Sequence, residues 1–407
     1  MLASICIGII CLSNISVREE SKLVNENFKV AAAHYSAMLT KATDLTCFPR
    51  TSYADGRFKC VAIDDWTSGF WAGNLWYMYE QTKEQKWKLA AEKWTDALKD
   101  NQFLTSHHDI GFMMYCSYGN GYRLTKNAVY KDILIQSAKS AIKRFDPKVG
   151  VIKSWNTRKS IGKKNDWEYP VIIDNMMNLE LLFFASKVTG DDVYKNVALS
   201  HAEKTRKNHI REDFSVYHVV NYDKNNGNAL HQQTAQGFSD NSTWARGQAW
   251  GIYGFTVMYR ETKDPKYLTT AKNLADFYIN HPNLPKDQIP YWDFNAGQVG
   301  YVPDWAYHPD KFKVQPRDAS AAAIVSSALI ELSGYVKGKE RLRYLSVAKK
   351  IISSLSSNAY RAKPNTNNDF LLMHSVGNLP GSNEIDVPLV YADYYFLEAL
   401  SRLKKLD

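Results

Sequence analysis

The chain of 407 residues reads as an all-α protein, an (α/α)6 toroid of six helical hairpins, and three observations predict it. Apolar helical segments alternate with amphipathic ones, six segments open on starts of one kind, and few stretches alternate as a strand would. With 45% hydrophobic and 23% charged residues, the chain has the composition of a folded globular protein able to bury a large core.

The segments around Leu75-Trp76, Leu179 to Phe183 and Ile252 to Met258 are apolar almost all round, as helices buried on most faces must be. Residues 87–98, 194–204, 267–279 and 342–355 instead carry apolar residues at three- and four-residue spacing, with Lys and Glu between. Starts fall at Trp66, Asp109, Asp174, Trp244, Asp318 and Asp386, and a second helix reads after each, least clearly after the last. An open solenoid would want more uniform repeats and capping units. Closing the hairpins into a ring puts the six inner N-termini on one face, around one cleft. Residues 213–221 read as a short hairpin, and residues 280–316 as a long, aromatic-rich connection.

Residues 1–20 are expected to be a signal segment and residues 21–407 a single catalytic domain. The apolar run Leu2 to Leu12 is too short to span a bilayer but suits a secretory signal, imperfect in having no Lys or Arg ahead of it. Export to the periplasm or beyond is the expectation, with a cytoplasmic location as the alternative. Cys47, Cys60 and Cys116 remain after that segment, an odd number without metal-ligand spacing, so no metal is expected. Whether Cys47 and Cys60 pair is left open. A net charge of +9 favours an anionic partner, and the 11 Trp, 25 Tyr and 17 Phe supply faces for sugar rings or simply a bulky core. The lysines are scattered, without the basic stripe of a nucleic-acid binder.

Two acids carry the chemistry. Asp174 lies in the apolar run Val171-Ile-Ile-Asp-Asn-Met-Met, and Asp109 in His107-His-Asp-Ile-Gly-Phe. Apolar surroundings and a second carboxylate both push a carboxyl group toward holding its proton, as a general acid must. The plain alternative for each is a helix N-cap. A second cluster comprises His218, Gln236, Trp244, Arg246 and Trp250. Arg246 and Trp250 stand one turn apart and offer a planar fork for a carboxylate and a stacking platform, or else a structural ion pair and a core Trp. Trp66, Trp71 and Trp155 are further stacking candidates, with plain core as the alternative for one or more of them.

From Trp66 to the C-terminus the chain resembles glycoside hydrolase family 88, the unsaturated glucuronyl hydrolases. The blocks are Trp66-Thr-Ser-Gly-Phe-Trp-Ala-Gly, His108-Asp-Ile-Gly-Phe, Ile173-Asp-Asn-Met-Met-Asn, Ser242-Thr-Trp-Ala-Arg-Gly-Gln-Ala-Trp, Asp318-Ala-Ser-Ala-Ala-Ala and His374-Ser-Val-Gly-Asn with Glu384-Ile-Asp-Val-Pro. The resemblance implies the (α/α)6 toroid, Asp174 as general acid/base and Asp109 as the second essential carboxylate. It also implies sugar contacts at His108, His218, Gln236, Trp244, Arg246, Trp250, Trp66 and Trp155, and no cofactor. The implied substrate is an anionic oligosaccharide made by a lyase, with a C4=C5 double bond in its terminal uronate; the acid protonates C4 and water adds at C5. An unsaturated rhamnogalacturonyl hydrolase, an endo-glycanase on saturated chains, and a non-catalytic sugar-binding protein are the alternatives.

Overall fold

The computed structural model describes residues 17–406. Of the expected signal segment 1–20, residues 1–16 lie outside the described residues, and residues 17–20 open the first helix. The fold is mostly helical. In chain order the α-helices are α1 (Val17–Lys41), α2 (Ser68–Thr82), α3 (Gln85–Asp96), α4 (Ile110–Met114), α5 (Asn120–Thr125), α6 (Ala128–Ile142) and α7 (Leu179–Thr189). They continue as α8 (Asp192–Asn208), α9 (Ala245–Thr262), α10 (Pro265–Asn280), α11 (Ala319–Ser333), α12 (Gly338–Leu355) and α13 (Val390–Lys404).

Local chemistry makes the hairpins. α2, α7 and α9 each end on a left-handed residue, Lys83 (φ 60), Gly190 (φ 74) and Lys263 (φ 58), whose N–H returns to the carbonyl four residues back. Asp191 and Asp264 then cap α8 and α10, each accepting from the backbone N–H two residues on. The apolar helix is thus reversed within two or three residues and followed by an amphipathic one.

The apolar helices pack side by side in an order that returns to its start. α2 lies against α13, α13 against α11, α11 against α9, and α9 against the 3-10 turn Ile173–Asn178 that leads into α7. That turn meets α4, and α4 with the π-helical turn Tyr115–Gly119 meets α2 again. α3, α6, α8, α10 and α12 cover the outside of this ring, and α1 covers α13 and α2. The last start therefore differs from expectation. Asp386 lies in a strand, the sixth inner helix opens at Val390, and its outer partner is α1 from the other end of the chain.

The all-α expectation also needs correction, because small antiparallel sheets line the helix-start end. Among the described residues these pair β1 (Phe48–Ser52) with β2 (Phe58–Val61), β3 (Phe145–Asp146) with β4 (Val151–Ile152), and β5 (Arg158–Lys159) with β6 (Asp166–Trp167). β7 (Pro170–Ile172), β8 (Val219–Tyr222) and β9 (Ala229–Gln233) form a three-stranded sheet, and β10 (Ser375–Asn378) pairs with β11 (Asn383–Val387). The strand expected within 213–221 begins only at Val219, and its partners are 170–172 and 229–233. Strands this short carry too few residues for alternation to register.

Most of the tryptophans are core: Trp71, Trp76, Trp87, Trp94, Trp167, Trp250 and Trp292 are buried. Cys47, just before β1, and Cys60 of β2 form a disulfide, and Cys116 is a buried free thiol. No helix among the described residues is long and apolar enough to cross a membrane. Where α4 meets the turn that leads into α7, a Cβ on Gly111 would sit 2.5 Å from the Asn178 Cα. Gly111→Ala should therefore cost ~1–3 kcal/mol by overpacking, read from urea unfolding; an unchanged midpoint would show that the two inner helices can separate freely.

Candidate active site

Asp174 is delivered by the sheet. Ile172 of β7 pairs with Val219 of β8, and the Ile173 N–H donates to the His218 carbonyl at 3.0 Å. The residue after one strand and the residue before the other are thereby held together, with His218 Nε2 3.7 Å from Asp174 Oδ2. The next strand sets the histidine's tautomer. Backbone N–H groups of Ala235 and Gln236 donate to His218 Nδ1 at 3.1 and 3.2 Å, so that nitrogen is an acceptor and the proton lies on Nε2. Burial keeps the imidazole neutral, with its pKa well below the usual value.

Asp109 precedes α4 and lies beside the Asp174 turn. Asn178, four residues after Asp174, accepts from the Phe112 N–H at 3.1 Å and donates to His108 Nδ1 at 3.3 Å. His108 therefore carries its proton on Nε2, which faces Asp109 Oδ1 at 3.3 Å, while His107 Nδ1 lies 3.2 Å from Oδ2. Burial lowers the His108 pKa to about 4.

The two carboxyls are pushed apart. Burial raises Asp174 to about 7, against the pull of Arg246 and with a further push from Asp109. Burial also acts on Asp109, but His108, His107 and Arg144 outweigh it and hold Asp109 below the usual carboxylate range. Near neutral pH one group can hold a proton while the other is charged. That division suits acid/base work. Asp174 Oδ2, His218 Nε2 and the Trp250 indole nitrogen are buried polar atoms without a hydrogen-bond partner among the described residues. Buried polar groups are ordinarily satisfied, so a cluster of orphans is a place built for a ligand's polar atoms.

The remaining predicted residues surround these. Trp244 lies between the His218 ring (centroids 4.3 Å) and the Arg246 guanidinium (4.6 Å). Trp155 is half-buried and meets His218 edge-on at 6.2 Å. Trp66, also half-buried, packs on Phe112, which in turn packs on Trp250. Two residues differ from expectation. Trp250 is fully buried against Phe112 and Tyr395, so it presents its N–H toward Asp174 rather than a stacking face. Arg246 is 1% exposed, and its guanidinium donates to Asp318 (3.0 Å) and to the carbonyls of Val376 (2.5 Å) and Gly377 (2.7 Å). It is not an open fork; burial beside Asp318 engages it within the protein. Gln236 likewise donates to Gly377 at 2.8 Å. Sequence reading passed over Asn175 and Asn178, whose spacing after Asp174 was the available signal. It also passed over Arg50, which clamps Glu384 and Asp65 beside Trp66.

A buried carboxyl of raised pKa beside a charged one, in an aromatic-lined site at one end of a helical ring, is the equipment of a glycoside hydrolase. Residues 44–367 match the model of Glycosyl Hydrolase Family 88, and the chain belongs to that family. It is 44% identical over 391 residues to an unsaturated glucuronyl hydrolase of Formosa agariphila, covering 96% of this chain and 92% of that one. An unsaturated chondroitin disaccharide hydrolase of Streptococcus agalactiae is 33% identical, over 88% and 86% of the two chains. A solved unsaturated glucuronyl hydrolase described as specific for heparin superposes with a TM-score of 0.86 at 42% identity, over 95% and 98% of the chains.

Two outcomes are expected. Removing one partner of the buried Arg246–Asp318 pair strands the other charge, so Arg246→Ala should lose ~3–5 kcal/mol in urea unfolding; a stable variant with only a raised KM would restore the open-fork reading. For Asp174 the folded pKa of about 7 lies above the unfolded value of ~3.9, so bound proton stabilises the fold at low pH and is lost as pH rises through about 7. Asp174→Asn should then be more stable than the parent at pH 8, by up to ~4 kcal/mol. That advantage should fade below about pH 4, checked by melting at both pH values.

Proposed function

We propose that this enzyme releases the 4,5-unsaturated uronic acid from the non-reducing end of lyase-generated, glycosaminoglycan-type or ulvan fragments. One observation carries this reading: a buried carboxyl, Asp174, with a pKa of about 7 and an unpartnered oxygen facing an N–H donor. The relatives' names support it, since one is called an unsaturated glucuronyl hydrolase and another an unsaturated chondroitin disaccharide hydrolase. The ring of six inner and six outer helices is read as an (α/α)6 toroid, with the site at the inner helices' N-terminal end.

Protonated Asp174 donates to C4 of the double bond. Positive charge develops at C5 and is shared by the ring oxygen. The resulting carboxylate takes a proton from water as that water bonds to C5, which returns Asp174 to its acid form. The hemiketal so formed opens and the next sugar leaves. His218 and Trp250 offer N–H groups to substrate oxygens. Asp109, ionised, accepts from sugar hydroxyls and disfavours loss of the Asp174 proton before reaction. The Leu2 to Leu12 run and the Cys47–Cys60 disulfide support an exported enzyme, because disulfides persist in oxidising compartments.

The test is to follow the ultraviolet absorbance of the unsaturated uronate in lyase-made disaccharides. The parent should abolish it, with kcat/KM falling as pH rises through about 7. Asp174→Asn should lose at least ~10²–10⁴-fold in kcat while still binding substrate. Persistent absorbance alongside cleavage of saturated oligosaccharides would favour an endo-glycanase instead.

A further inference from the structure

The lip beside Trp155 holds an arginine that the proposed reaction does not use. β5 and β6 pair Arg158 with Trp167, and Trp167 stacks on Trp155 at 5.8 Å with 28° between the planes. The exposed Arg158 guanidinium rests 5.1 Å from the Trp155 ring centre and 5.9 Å from that of Trp167. Neighbouring cations are engaged differently. Lys159 pairs with Asp166 at 2.6 Å, Lys164 with Asp304 at 2.5 Å, and Arg144 donates to the carbonyls of Thr105 and Lys153. The Arg158 guanidinium has neither an ion pair nor a hydrogen bond among the described residues.

A cation held against aromatic rings by electrostatic attraction needs no hydrogen bond, and the five N–H groups of this guanidinium have no partner among the described residues. The tryptophan pair therefore holds Arg158 in place without using its donors, which lowers the entropy lost when an anion binds. Its position is set by a chain of contacts that starts at the acid. His218 faces Asp174, Trp155 edges His218, and Arg158 lies against Trp155. A uronate seated at Asp174 would extend its next sugar past His218 and Trp155, toward this fork.

We infer that Arg158 is a specificity-determining residue, binding a sulfate group carried by the sugar next to the unsaturated uronate. The inference rests on the proposed reaction for its substrate and on the lip's geometry for the residue. A sulfate matches the fork because its oxygens accept two parallel N–H bonds, and each such charge-assisted bond is stronger than a neutral one. The charge sits at the exposed rim, so its contribution should weaken as salt rises.

The experiment compares unsaturated uronyl–hexosamine disaccharides with and without sulfate on the hexosamine, using the parent, Arg158→Ala and Arg158→Lys. In the parent, KM should be lower for the sulfated disaccharide. Arg158→Ala should raise that KM about tenfold, with kcat unchanged and the unsulfated substrate unaffected. Arg158→Lys should recover part of the difference, since lysine keeps the charge without the fork. Equal effects on both substrates, no effect on either, or a parent indifferent to sulfate would each overturn the inference. If the parent leaves the absorbance of both disaccharides unchanged, the proposed reaction fails instead. Calorimetric titration of the same pair against parent and Arg158→Ala then decides Arg158 alone: tighter sulfated binding lost in the variant upholds it, and equal binding refutes it.

Discussion

The site depends on the register of a three-stranded sheet in a protein that is otherwise helical. Because Ile172 pairs with Val219, the chain leaves β7 at Asp174 just where it enters β8 from His218. Because Val219 also pairs with Gln233, the turn after β9 brings two backbone N–H groups to His218 Nδ1 and directs its proton at the acid. A slip of one residue would turn His218 to the opposite face of the sheet. The ring of helices supplies the rigidity that keeps so small a sheet in one register.

Burial then separates the carboxyls into two kinds. Both are nearly inaccessible, 7% exposed for Asp174 and 9% for Asp109, so burial alone cannot distinguish them. What differs is company. Asp109 has two imidazoles beside it, whereas Asp174 feels a guanidinium already paired with Asp318, faces neutral His218 across 3.7 Å and keeps one oxygen unpaired among the described residues. Orphaned buried groups cost about 1–3 kcal/mol each, and a core dominated by large aromatic side chains can absorb that strain. The same core explains why Trp250 is sealed: its ring packs between two inner helices while its N–H reaches the site.

Arg246 ties the site's floor together. It sits on α9, pairs with the cap of α11, and holds the carbonyls of β10, so three separate segments meet at one guanidinium. Asp318 meanwhile accepts from Ser320 and Ala321 at the start of α11, so the ion pair is fixed at both ends. Arg50 does the corresponding work at the rim, joining β1, β11 and the approach to α2. These clamps keep the aromatic walls at fixed spacing around the acid.

Helical periodicity and the repeated starts were legible along the chain because each spans many residues and each start follows from local capping chemistry. The two acids were legible for a similar reason: their apolar or histidine-rich surroundings are contiguous in sequence. The short strands were not, since two to five residues cannot display a period, and their pairing is between distant segments. Nor were the fates of Arg246 and Trp250. Residue type and helical spacing place both on the inward side of α9, but only packing determines whether an inward side chain meets substrate, a carboxylate or other rings. The sequence by itself determined a mostly helical chain with Asp109 and Asp174 at helix starts. The tertiary structure alone decided which of them keeps its proton, because that depends on neighbours brought from other strands and helices.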